Sequence, residues 1–250
     1  MPIFGIGLHI FVALFFAVHV VRTGRELYWL LLLFCFPLLG SVVYFLAVFL
    51  PHSRLERSLG KAGAAVREKL DPNRALREAQ AAFDLTPTAH NQTRLARALL
   101  DAGMATQAVQ QYDVCLSGPF AGDPDIRFAA AEARLANGQP NDAVSALLAL
   151  RTTHPNFSEE KVGLLLARAY AAAGLHAEAG IEFAAVVGRF ASLEGRAEYA
   201  LWALSRREQA LADAQLTQLN HSRKHMSKQT RSQHAEMFKR LDAAVAQQAR

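Results

Sequence analysis

The hydrophobic pattern divides this chain into two dissimilar stretches. Ile3–Val21 is a run of 19 residues and Trp29–Leu50 a run of 22, and neither contains Asp, Glu, Lys or Arg. At about 1.5 Å of rise per residue the second run reaches ~33 Å, against a bilayer hydrocarbon core of ~30 Å. The pattern therefore predicts a transmembrane helical hairpin over residues 1–51. Nothing basic precedes Ile3, the apolar core is too long, and Ala17-Val18-His19 offers no convincing cleavage site, which argues for a retained helix over a cleaved signal. After Pro51 the apolar residues recur at helical spacing instead. Ser53 and Glu56 form a capping-box pattern, and Leu55, Leu59, Ala62, Val66 and Leu70 share one helical face. Asp71-Pro72 closes that helix and opens another, which ends before Thr86-Pro87.

From residue 85 onward a longer period appears. Leu95-Ala96, Leu99, Gly103, Ala108, Tyr112, Cys115 and Leu116 form one unit, and Ala130-Ala131, Gly138, Ala143, Leu147, Leu150 and Pro155 the next. Leu166-Ala167, Tyr170, Gly174, Ala179, Phe183 and Val186 form a third. A weaker fourth holds Tyr199-Ala200, Ala203, Ala212, Leu216 and Leu219, with Arg207 where a turn glycine stands in the others. Successive units begin about 35, 36 and 33 residues apart, close to the ~34 of a tetratricopeptide repeat. In spacing and residue type the units resemble that family. The resemblance implies helix pairs closed by small residues, turned by glycine and filled by large apolar side chains. In the third unit Tyr170 and Phe183 are expected to be buried and to face each other, with Ala167 and Ala179 between them.

The fold class expected is all-α: a transmembrane hairpin followed by a tetratricopeptide-like α-solenoid. Residues 52–84 read as basic juxtamembrane helices or a degenerate first repeat, 85–220 as the repeats, and 221–250 as a basic C-terminal capping helix. In tetratricopeptide arrays the first helix of each pair lines a groove that holds a peptide or partner helix. Carried over by repeat position, that implies a groove of Thr93, Arg97, Leu100, Phe128, Glu132, Leu135, Leu164, Arg168 and Leu201. Ala171, Ala197 and Leu204 complete the same rows.

Net charge is +5, distributed unevenly: +1 over residues 1–51, +2 over 52–84, −3 over 85–219 and +5 over 220–250. The repeats lack a basic surplus, so nucleic acid is not an expected partner. Arg22 and Arg25 lie between the two apolar runs, whereas Arg54, Arg57, Lys61, Arg67 and Lys69 follow the second, which predicts both termini in the cytoplasm. Two cysteines, Cys35 and Cys115, are too few and too far apart for a zinc site or a disulfide framework.

Arg25, Tyr28-Trp29-Leu30-Leu31-Leu32-Leu33, Pro37-Leu38-Leu39-Gly40 and Tyr44-Phe45 together resemble the N-terminal two-helix segment of cardiolipin synthases, the phospholipase D-nuclease N-terminal domain. That resemblance implies a membrane hairpin and no reaction, because the two HxK-x4-D motifs of phospholipase D chemistry are missing from the sequence. Nor is there an HExxH, a Walker A loop, a GxGxxG or a GxSxG. The expectation is a non-enzymatic protein with no cofactor and no metal. Its partners would be proteins in the groove and a lipid bilayer along residues 3–50. The function expected is a membrane-anchored adaptor or scaffold at the cytoplasmic face of the inner membrane. The alternative is a non-catalytic regulatory subunit of a phospholipid-synthesis or envelope-biogenesis enzyme.

Overall fold

The computed structural model describes residues 14–22, 28–35, 41–43, 71 and 73–248. The chain divides into two compact units, Met1–Pro72 and Asn73–Arg250. In the first, residues 14–22 and Tyr28–Cys35 are helical. Phe16, Val20 and Leu33 are buried together, while Leu31 and Phe34 are 68% and 73% exposed. Described stretches of nine and eight residues span only ~12–14 Å. Among the described residues no helix is long and apolar enough to cross a membrane. That overturns the multi-pass inner-membrane localisation, and with it the placement of the second unit at the cytoplasmic face. The hydropathy of a run measures the cost of leaving it in water; it does not measure where a helix ends. The Ser53–Glu56 capping box and the helix to Leu70 lie outside the described residues.

The second unit is built of helices: α1 (Arg74–Leu85), α2 (Ala89–Asp101), α3 (Ala105–Leu116), α4 (Pro124–Ala136), α5 (Pro140–Thr153) and α6 (Glu159–Ala172). There follow α7 (His176–Phe190), α8 (Leu193–Ser205), α9 (Gln209–His225), α10 (Lys228–Gln233) and α11 (Ala235–Gln248). Among the described residues four antiparallel pairs result, α2–α3, α4–α5, α6–α7 and α8–α9. Within the array each first helix packs mainly on its own pair mate and on the second helix of the pair before it. No strand occurs among the described residues.

Alanine positions explain why the pairs close. Ala96, Ala108, Ala131, Ala143, Ala167, Ala179, Ala200 and Ala212 are each 0% exposed. A methyl group at these points lets two helix backbones approach closely, and larger neighbours fill the space above and below. Three of the four first helices begin with a side-chain cap. Thr88 accepts from the Asn91 N–H, Asp123 from the Asp125 and Ile126 N–H groups, and Ser192 from the Gly195 N–H. The second helices begin without one.

The cores run from pair to pair. Leu95, Leu99, Val109 and Tyr112 join α1 through α4, with Leu76 and Phe83 of α1 at the margin. Val144, Leu147, Leu150, Leu165 and Leu166 join α5 to α6. The third-to-fourth joint is aromatic. Phe183 lies stacked on Tyr199 with centroids 5.6 Å apart and is 5.7 Å from Trp202. This corrects one expectation: Tyr170 is only partly buried, and the ring partners of Phe183 come from the next repeat.

Candidate functional site

The nine groove residues are not equivalent. Thr93 bonds back to the His90 carbonyl at 2.9 Å within its own helix. Leu100 is half-buried at the edge of the α1–α4 core, and Phe128 meets Phe157 edge-on at 6.3 Å. Arg97 reaches across from α2 to Glu132 of α4 at 2.7 Å and to Asp101 at 3.1 Å. Those charges satisfy each other. Leu164 is 7% exposed and belongs to the third-repeat core, packed with Ala167 and Phe183. It cannot touch a ligand without the helix pair opening.

Leu135, Arg168 and Leu201 are brought together. They line one cleft of about 370 Å³ between α4, α6 and α8, whose other walls are Ala171, Ala172, Phe183, Glu198 and Trp202. Arg168 is exposed and makes no hydrogen bond or ion pair among the described residues, whereas Arg97 and Glu132 are mutually neutralised. Glu198, on the same cleft, faces Arg240 of α11 at 3.4 Å. The indole N–H of Trp202 is buried without an acceptor among the described residues. The cleft therefore offers apolar walls, a guanidinium free of described partners and a carboxylate occupied from within the chain.

Sequence reasoning missed Glu198 and Trp202. Glu198 stands three residues before Leu201, so it shares that side of α8, and this spacing was the signal available. A second cleft, about 260 Å³, is lined by residues of α5, α6 and α7. Its two arginines are already engaged, Arg151 by Glu182 and Arg189 by Glu159. It thus presents less unspent charge than the α4–α6–α8 cleft. Among the described residues no group of three or more His, Cys, Asp or Glu could hold a metal ion, and His221 and His225 lie as a pair of rings 4.8 Å apart.

No protein-family model matches the chain, and no curated protein matches it in sequence. The resemblance of the head to the phospholipase D-nuclease N-terminal domain thus finds no support, nor does the regulatory-subunit alternative drawn from it. Solved structures do match. TTC0263, a thermophilic TPR protein in Thermus thermophilus, is similar with a TM-score of 0.56 at 18% identity, over 74% of this chain and 96% of that one. The MamA RS-1 ArsTM double mutant is similar with a TM-score of 0.51 at 14% identity, over 68% and 97%. At these identities the likeness shows the fold: a tetratricopeptide-like helical solenoid.

Proposed function

We propose that the chain is a non-catalytic adaptor that holds protein partners along the face lined by its first helices. The observation that carries this reading is the α4–α6–α8 cleft, where three consecutive repeats contribute Leu135, Arg168 and Leu201 to one surface. Such a cleft suits a short partner segment with an apolar side chain against Leu135 and Leu201 and a carboxylate on Arg168. An arginine is the residue that fits this task, since its planar fork binds a carboxylate with two N–H donors.

The test compares charge reversal at two exposed arginines, Arg168→Glu in the cleft and Arg94→Glu on α2, in the full chain. Each protein is crosslinked in its native extract, and the linked peptides are mapped. Partners should map to the cleft in the wild type and the Arg94→Glu protein and be lost with Arg168→Glu. Equal recovery with both variants would remove the cleft as the binding site.

A further inference from the structure

By repeat position, Ala197, Leu201 and Leu204 of α8 continue the groove row that begins at Thr93, Arg97 and Leu100. In the fourth repeat that row is covered. Ala197 is 1% and Leu204 4% exposed, and Leu201 is half-buried. The cover is α11 of the same chain. Phe238 and Leu241 pack with Ala197, Ala200 and Leu219, with Leu201 and Met237 at the margin. Arg240 faces Glu198, the Gln248 side-chain amide donates to the Leu204 carbonyl, and Asp242 takes Arg223 of α9 at 3.1 Å.

This helix does not continue the array. A next first helix would pack mainly on α9, the second helix of the last pair, whereas α11 packs mainly on α8. Its seat is also light. Phe238 and Leu241 are its two buried residues, against seven in α6, and α10, which leads into it, buries none. Segments with few buried apolar contacts and exposed polar links open at low free energy. Glu198 and Leu201 touch α11 and also line the open cleft, so the covered and open sections of the row are continuous.

We propose that α11 is a displaceable resident of the groove. The partner that replaces it is an amphipathic helix carrying an aromatic residue, a leucine three positions later and a basic residue just before that leucine. The pattern is that of Phe238, Arg240 and Leu241, which the seat already accepts. The proposal rests on the adaptor reading, and it names the control on that site. Partner binding at the fourth repeat then competes with α11, and the apparent affinity is reduced by the fraction of chains in which α11 is seated.

The probe is a fluorescent synthetic peptide with the sequence of residues 234–248, added to the full chain. In the wild type it should bind weakly. With Phe238→Ala and Leu241→Ala combined in the chain, the seat is vacated and the native peptide should bind at least about tenfold tighter, the gain from removing a resident competitor. Arg240→Glu alters only an exposed ion pair, so it leaves the cores intact and should tighten peptide binding about two- to fivefold. If the double variant loses its helical circular dichroism, Arg240→Glu decides alone. Unchanged affinity in the folded variants overturns the proposal. So does a wild-type dimer by sedimentation in which the seat of one copy takes α11 of the other, because the occupant would then be this chain itself. No outside partner enters this experiment, so its failure leaves the Arg168 test standing, and the reverse also holds.

Discussion

The first three repeats and the fourth make the same turn with different residues. After α2, α4 and α6, Gly103, Gly138 and Gly174 sit at φ +77°, +74° and +78°. After α8 the same place is held by Arg207 at φ +60°. The hydrogen bonds match at all four. Gly103, Gly138, Gly174 and Arg207 donate to Leu100, Leu135, Ala171 and Leu204 at 3.0–3.2 Å. Met104, Gln139, Leu175 and Glu208 donate to Leu99, Arg134, Tyr170 and Ala203 at 2.8–2.9 Å. Each turn is thus a Schellman motif, closing two end carbonyls of the first helix. The fourth keeps this geometry although a left-handed backbone costs a side-chain-bearing residue about 1–2 kcal/mol. Tertiary packing, not turn chemistry, must therefore hold the last pair, and the joint of Phe183 with Tyr199 and Trp202 is the packing that holds it.

The largest expected effect tests that joint. Phe183→Ala removes a ring that is 1% exposed and stacked between repeats. It should cost about 3–5 kcal/mol in urea unfolding, the range for aromatic truncation in a core. Hydrogen exchange should show α8, α9 and α11 losing protection before α2–α5. Uniform loss along the array would mean that the fourth pair is no more dependent on packing than the others.

The turns come next. Gly174→Ala places a Cβ where φ is +78° and should cost about 1–2 kcal/mol, although the space around it is open. Arg207→Gly should do the opposite and stabilise the chain by about 0.5–1 kcal/mol: strain of about 1–2 kcal/mol is relieved, less the extra backbone entropy glycine loses on folding. If both substitutions destabilise, the two turns differ in more than residue type.

These turns also mark how much of the fold could be read from the sequence. The buried alanines and the turn glycines were legible because each is demanded locally, by a close helix contact or a positive φ. Arg207 was legible as a departure from that pattern. Leu164 was not: it holds a groove position by repeat count, yet it is drawn into the core beside Ala167 and Phe183. Nor was the seat of α11. Its apolar stripe of Met237, Phe238, Leu241 and Ala244 announces an amphipathic helix, but periodicity along one helix does not say which neighbour it covers. The head shows the limit most clearly, since its uncharged runs satisfied a length criterion that the described helices do not.

The smallest expected effect separates the groove's two arginines. Arg97 is tied to Glu132 and Asp101, so Arg97→Ala removes two ion pairs. All three side chains keep considerable solvent contact, so the loss should be only about 0.2–1 kcal/mol. Arg168 is exposed and unpaired among the described residues, so its removal takes a partner away from no buried group. Arg168→Ala should therefore leave the unfolding free energy in urea within about 0.5 kcal/mol of wild type, as for surface sites away from special features. The two variants should also respond differently to salt. Raising ionic strength screens the Arg97 pairs in the wild type and shrinks the difference made by Arg97→Ala, while the Arg168→Ala difference stays near zero. A destabilisation by Arg168→Ala that approaches that of Phe183→Ala would mean that Arg168 supports the core, and the cleft would then lose the free charge on which its binding role depends.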